Sequence, residues 1–154
     1  MNTALDHFAG ACRLMAEIDL PVVLDIEKRS YQFPWTEGIF LDCMQHGNSS
    51  WVLETPQAVV GYGVMSIAVG ECHILNLCID PDCRGQGKGR YLLGQMLTFA
   101  RSQEADTAFL EVRTTNFNAL SLYFSEGFNE IGIRKNYYPC SVGRENAVIL
   151  AKSL

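Results

Sequence analysis

Between an apolar run at residues 72–80 and an amphipathic run at 91–103 stands the turn Arg84-Gly85-Gln86-Gly87-Lys88-Gly89-Arg90. Behind it, Tyr91, Leu92, Leu93, Met96, Leu97, Phe99 and Ala100 recur at helical spacing. A second buried-strand run follows at 108–113. Strand, helix and strand in that order form a crossover unit, and the right-handed crossover rule sets 108–113 parallel to 72–80 in one sheet. The rest of the chain must complete that sheet and cover both of its faces.

Upstream, the runs 50–54, 59–68 and 72–80 read as an antiparallel meander, with hairpin turns at Thr55-Pro56-Gln57 and Val69-Gly70-Glu71. Gly61 and Gly63 inside the middle run predict a bend or bulge. A short strand at 12–17 precedes a helix that Asp19 caps and that runs to about Ser30, with Pro21 in its first turn. Phe33-Pro34-Trp35 is an aromatic turn, and Thr36 caps a second helix to about Gln45. Downstream, a helix at 116–125 ends at Gly127, and strands follow at 131–137 and 147–151. The order is βααβββαβαββ. The expected architecture is an α/β (α+β) mixed sheet with helices on both faces, built as one domain over residues 1–154.

Composition narrows the function. With 48% apolar and 19% charged residues the chain has ordinary globular usage, and long disorder is not expected. A net charge of −5 argues against a broad nucleic-acid surface and favours a basic ligand or peptide. No run approaches the roughly 20 apolar residues that span a bilayer, and the N-terminus lacks a basic segment followed by an apolar one. A cytoplasmic protein with no membrane partner is therefore expected. Six cysteines, at 12, 43, 72, 78, 83 and 140, form no Cys-x-x-Cys pair and read as reduced, mostly buried thiols. His7, His46 and His73 show no metal spacing, so surface or strand positions and no metal are expected.

The first N–H groups of a helix have no partner within it. Glycines before such a helix let several N–H groups converge without side chains blocking an anion, and the helix dipole adds partial positive charge. Three cations in seven residues then make the turn a pyrophosphate cradle; the plain alternative is a glycine-rich connection that binds nothing. A Walker loop does not fit, because positions 82 and 89 are Asp82 and Gly89. Gly-x-Gly-x-x-Gly also fails, because positions 90 and 92 are Arg90 and Leu92.

The pattern that fits is Arg-x-x-Gly-x-Gly at Arg84, Gly87 and Gly89, followed by Asn-x-x-Ala-x-x-Leu-Tyr-x-x-x-Gly-Phe from Asn116 to Phe128. In these two segments the chain resembles the GCN5-related N-acetyltransferase (GNAT) family, which binds acetyl-CoA at such a turn. More closely it resembles the RimI type, which acetylates the N-terminal alanine of ribosomal small-subunit protein eighteen. The matching pieces are Phe33-Pro34-Trp35-Thr36, Asp80-Pro81-Asp82, Leu110-Glu111-Val112-Arg113 and Arg134-Lys135-Asn136-Tyr137-Tyr138-Pro139. At Arg144-Glu145-Asn146-Ala147 the chain departs from the Glu-Asp-Ala usual in that type.

The resemblance implies the acyl-CoA N-acyltransferase fold and direct transfer in a ternary complex. It implies cofactor contacts at Leu77, Cys78 and Ile79, at Gly85, Gln86, Gly87, Lys88, Gly89 and Arg90, and at Asn116. It also implies a bulge in the strand carrying 77–79, which splays from 108–113 so that pantetheine lies between them. Lys88 or Arg90 either meets the adenosine 3′-phosphate or is simply solvated. The substrate would be the N-terminus of a ribosomal small-subunit protein, with no direct nucleic-acid contact.

Glu111 is an acid amid apolar strand residues, costly to bury idle. It reads as a general base or as the ion-pair partner of Arg113; the resemblance implies the base. Tyr123 reads as a core aromatic, and the resemblance implies the acid that protonates the coenzyme A thiolate. Phe33, Trp35, Tyr137 and Tyr138 form either the wall of a peptide groove or an edge-strand aromatic cluster. Freeing an α-amine at neutral pH costs about 3.5 kcal/mol less than freeing a lysine, which suits a single modest base. A lysine or small-amine acetyltransferase and a non-catalytic acetyl-CoA-sensing module stay open as alternatives.

Overall fold

The computed structural model describes residues 10–154; His7 lies outside them. Seven strands form one sheet in the order β1-β2-β3-β4-β5-β7-β6. They are β1 (Ala11–Leu14), β2 (Ser49–Glu54), β3 (Val59–Ala68), β4 (Glu71–Ile79), β5 (Thr107–Arg113), β6 (Asn129–Pro139) and β7 (Arg144–Ser153). Four helices join them: α1 (Leu20–Ser30), α2 (Glu37–Gln45), α3 (Lys88–Ser102) and α4 (Phe117–Ser125). The mixed sheet and the element order are as the sequence predicts. Among the described residues only β4 and β5, joined through α3, pair in parallel; every other neighbouring pair is antiparallel.

Each face of the sheet has its own core. Leu92, Leu93, Met96, Leu97 and Ala100 of α3 pack with Tyr123 of α4 over Leu53, Met65, Ile74, Leu110 and Leu150. On the opposite face Leu20, Val23 and Ile26 of α1 and Phe40 of α2 cover Val52, Tyr62, Val64 and Cys78. Strand alternation explains the division, since neighbours such as Val52 and Leu53 point to opposite faces.

One irregularity in β4 changes that alternation. Val64 faces Asn76 and Met65 faces Ile74, so Leu75 is an extra residue with no partner on β3. An inserted residue reverses the phase of everything beyond it. Cys72 and Ile74 point toward α3, but past the bulge Asn76 and Cys78 point toward α1, while Leu77 and Ile79 pack on the α3 side.

The expectation for the glycines of β3 is partly met. A bulge falls beside Gly61, where Val60 has no partner on β2. The stronger constraint is close approach. A Cβ on Gly61 would stand 2.6 Å from Ile79 Cδ1 and 3.0 Å from the Cys78 carbonyl oxygen, and one on Gly63 would run into the Met96 thioether.

Two local expectations need correction. Asp19 stands at the N-cap position of α1, at the end of a short 3-10 turn, Glu17–Asp19, but its side chain makes no capping bond. Its carboxylate turns back to take two bonds of 2.8 Å from Arg13 and one of 2.8 Å from the Ala16 N–H. Pro21 offers no N–H to cap, whereas a bidentate guanidinium pair is strong. Arg13 holds the Asp19 carboxyl below its usual range. The cysteines are all free thiols, but only Cys72 and Cys78 are buried; Cys12, Cys43, Cys83 and Cys140 are partly exposed.

Other signals act as read. The Thr36 hydroxyl accepts from the Ile39 N–H at the start of α2. Gly127, at φ +91°, ends α4, with Gly127 N–H to Phe124 O at 3.1 Å and Phe128 N–H to Tyr123 O at 3.0 Å. That pair of bonds is the Schellman closure. The late strands run longer than expected because their outer halves, such as Arg144, Glu145 and Asn146, carry no apolar pattern. His46 sits exposed beside Asp42, and His73 of β4 stacks on Phe109. No described helix is long and apolar enough to cross a membrane.

Candidate active site

Parallel pairing between β4 and β5 stops early. It runs from Glu71 opposite Thr107 to Ile74 opposite Leu110, and the bulge at Leu75 follows at once. Beyond it the two strands part, and the edge of β4 that faces β5 carries backbone polar groups with no ladder partner. A cleft of about 1160 Å³ opens there.

The cleft gathers most of the residues singled out in the sequence. Leu77, Cys78 and Ile79 line it from β4, Glu111 from β5, and Asn116 and Tyr123 from α4. Gly85, Gly87, Lys88, Gly89 and Arg90 line it from the turn, with Phe33, Trp35 and Tyr138 at the far end. Gln86 and Tyr137 are not on its wall.

The geometry of the turn comes from its glycines. Gly85 and Gly87 have φ of +78° and +79°, and a Cβ on either would meet nothing within 4 Å. Backbone conformation, not crowding, selects glycine there, and the space above stays open. Gly87 starts α3 with no side-chain cap. The first N–H groups of a 15-residue helix are thus left for a ligand or solvent. Arg84 fixes the turn to the end of β4, donating from Nε to the Ile79 carbonyl at 2.9 Å and from its terminal nitrogen to Ser30 Oγ at 3.1 Å. Lys88 bonds to the Gln86 side chain. Arg90 pairs with Glu126 and donates to Ser125 Oγ at 3.0 Å, so its charge is anchored at the end of α4.

Glu111 and Tyr123 reach the cleft from opposite faces. Ala108, Leu110 and Val112 of β5 point into the core under α3, which turns Glu111 to the α1 face. Tyr123, 7% exposed, belongs to the core under α3 and packs edge-on to Phe128 at 5.6 Å. Where β4 and β5 part, the two faces communicate, and a carboxylate meets the same space as a phenol. Burial pushes the Tyr123 phenol above its ordinary range and keeps it protonated. Asn116 accepts from the Ala119 N–H and caps α4, which positions Tyr123 two turns on.

The ion pair read for Glu111 exists, but with a different partner. Arg134 Nε of β6 lies 2.8 Å from Glu111 Oε1, and the same carboxylate is the chief cause that raises the phenol of Tyr137, also on β6, above its ordinary range. Arg113 instead donates to Pro139 O at 2.8 Å and to Glu145 at 3.3 Å, and lies over the rings of Tyr138 at 4.5 Å and Phe33 at 5.9 Å. Side chains two apart on a strand stand parallel, and each finds a better partner across the sheet.

The segment 144–147 serves this arrangement. Between Arg134 and Tyr138 the β6 register slips, with Asn136 at φ +54°. Asn146 Oδ1 accepts from the Asn136 N–H at 3.0 Å, and Arg144 donates to the carbonyls of Asn136 and Tyr137 at 2.8 Å each. Glu145 accepts from the Thr115 hydroxyl and, at 3.0 Å, from the Thr115 N–H, and these bonds, the hydroxyl first, hold its carboxyl below the usual range with help from Arg113.

Sequence reading passed over two residues at this site. Arg134 had only a motif position to mark it. Glu27 had a clearer sign: it falls on the buried stripe of α1 with Leu20 and Val23 at helical spacing, and an acid there asks for donors.

Comparison with known proteins decides the lineage. Residues 20–128 match the Acetyltransferase (GNAT) family. The chain belongs to the GNAT acetyltransferases. Over 133 residues it is 37% identical to the ribosomal protein bS18-alanine N-acetyltransferase of Escherichia coli (strain K12), covering 86% of this chain and 90% of that one. The crystal structure of the ribosomal-protein-S18-alanine N-acetyltransferase from Escherichia coli superposes with a TM-score of 0.87 at 34% identity, over 94% of this chain and 93% of the other. Ard1 from Thermoplasma volcanium gives 0.87 at 30% identity, over 95% and 98%. GNAT enzymes use acetyl-CoA, and the uncapped helix start, the open glycine turn and the parted strands suit a diphosphate joined to a strand-like arm.

Proposed function

We propose that this chain transfers the acetyl group of acetyl-CoA to the N-terminal α-amine of an alanine-starting ribosomal small-subunit protein, the bS18 type. The observation that carries the reading is the cleft that Glu111 and Tyr123 both line, from opposite faces of the sheet. Relatives 34% and 37% identical over most of both chains are ribosomal protein bS18-alanine N-acetyltransferases, which supports the choice of acceptor.

Acetyl-CoA supplies an activated thioester. In this reading the N–H groups of residues 85–90 hold the diphosphate, and Lys88 serves the nucleotide end. The free edge of β4 at 77–79 aligns the pantetheine arm and turns an N–H toward the thioester carbonyl. The acceptor enters on the α1 side, between Phe33, Trp35 and Tyr138. Glu111 withdraws the proton from the amine, directly or through one water, while Arg134 and Tyr137 orient its carboxylate. Tyr123 gives its proton to the departing sulfur on the other side of the gap. Both roles need one bound geometry and no covalent enzyme adduct.

The test is incubation with acetyl-CoA and a peptide panel that varies the first residue and includes internal lysines, with the label located by mass spectrometry. Label on the α-amine of alanine-starting peptides is expected. Label on lysines alone would move the chain to the side-chain acetyltransferases, and tight acetyl-CoA binding without label would make it a sensing module.

A further inference from the structure

Helix α1 buries Glu27 to 1% exposure, and three neutral donors hold its carboxylate. The Tyr62 hydroxyl donates to Oε1 at 2.8 Å, Asn76 Nδ2 to Oε1 at 2.9 Å, and the Trp35 N–H to Oε2 at 3.0 Å. An acid in an apolar face is costly, and a methionine or leucine would fill the same volume. What the acid achieves is connection.

Two of the donors are already fixed. Tyr62 and Asn76 lie on β3 and β4, which pair through Tyr62 with Cys78 and Val64 with Asn76. The third belongs to the irregular loop between α1 and α2, which carries Phe33 and Trp35 into the cleft. Asn76 reaches Glu27 only because the bulge at Leu75 turns it to the α1 face. The irregularity that opens the gap between β4 and β5 therefore also creates the anchor for the loop at its edge.

We propose that Glu27 is a positioning residue: it sets the distance between the acceptor-side loop and the strand that aligns the thioester, without touching either substrate. This rests on the acetyltransferase reading above. Because the strands are held by their own ladder and the loop is not, loss of the carboxylate loosens the acceptor wall and leaves the coenzyme side in place.

Glu27→Met removes every acceptor at similar size. Glu27→Asp keeps the charge but draws it back by one methylene, and serves if the methionine variant does not fold. In steady state with acetyl-CoA and an alanine-starting peptide, both are expected to raise the peptide KM about tenfold, with kcat and the calorimetric Kd for acetyl-CoA within about twofold of wild type. Tyr62→Phe, which cuts only the tie to β3, is expected to lower the thermal midpoint and leave the peptide KM within about twofold. An unchanged peptide KM in the Glu27 variants, or an acetyl-CoA Kd that rises as much as the peptide KM, overturns the positioning role. A wild type that acetylates no peptide overturns the activity beneath it.

Discussion

Tyr123→Phe removes one oxygen and nothing else. The ring keeps its edge-on contact with Phe128 at 5.6 Å and its place in the core under α3. Stability is therefore expected to change by less than about 1 kcal/mol. Its effect should fall on the rate. A positioned acid contributes about 10²–10⁴-fold, and a thiol of pKa about 8.5 is a good enough leaving group to place the loss near the lower end. A loss of about 10² in kcat corresponds to about 2.7 kcal/mol of barrier. Burial adds a second, independent signature. It raises the Tyr123 phenol above its ordinary value, so the proton to be given stays in place across the working pH range. The pH–rate profile of the variant should keep the wild-type shape and lose height. The assay is steady-state release of coenzyme A from pH 6 to 9.5, with both substrates varied. A kcat within about threefold of wild type would refute the acid role, and a vanished alkaline limb would refute the argument from burial.

Glu111→Gln keeps the size of the side chain and an acceptor for Arg134, so peptide KM should hold while kcat falls by about 10²–10³-fold at neutral pH, recovering as the pH approaches that of the free amine. Gly61→Ala drives a methyl into Ile79 and the Cys78 carbonyl; a loss of about 1–3 kcal/mol in urea unfolding and a higher acetyl-CoA KM are expected, because the displaced residues belong to the cofactor strand. Alkaline unfolding should be steep. Tyr31, Tyr62, Tyr123 and Tyr138 are all raised, chiefly by burial, Tyr138 to about 12. Their contribution is intact below pH 10, where unfolded phenols are still protonated, and is lost as pH rises above it, about 1 kcal/mol per phenol between pH 10 and 11 by urea titration. With a net charge of −5, kcat/KM for a basic acceptor peptide should fall as salt rises, and an unchanged value would remove electrostatic steering from the account.

The local parts of the site were legible because their chemistry is local. The glycines at 85 and 87, the cap at Thr36 and the stop at Gly127 each need only neighbours along the chain. The bulge at Leu75 left no such trace. No glycine or proline marks it, and it exists only relative to the register of β3. The partner of Glu111 was misread for the same reason, since Arg134 reaches it from β6, two strands away across the sheet. Asp19 shows the converse: a good local cap signal yields to a guanidinium that the sequence places six residues earlier. The extent of β6 and β7 was underestimated because their outer halves are organised by polar contacts around Arg144 and Asn146 rather than by apolar alternation.

The central claim is that the parted ends of β4 and β5 receive the thioester arm while the turn at 85–90 holds its diphosphate. A crystal structure with coenzyme A and an alanine-starting peptide tests it most directly. The account predicts phosphate oxygens on the amides of 85–90, the arm running along 77–79, and its sulfur between Tyr123 and Glu111. A nucleotide bound elsewhere, or strands that close over an empty gap, would contradict it.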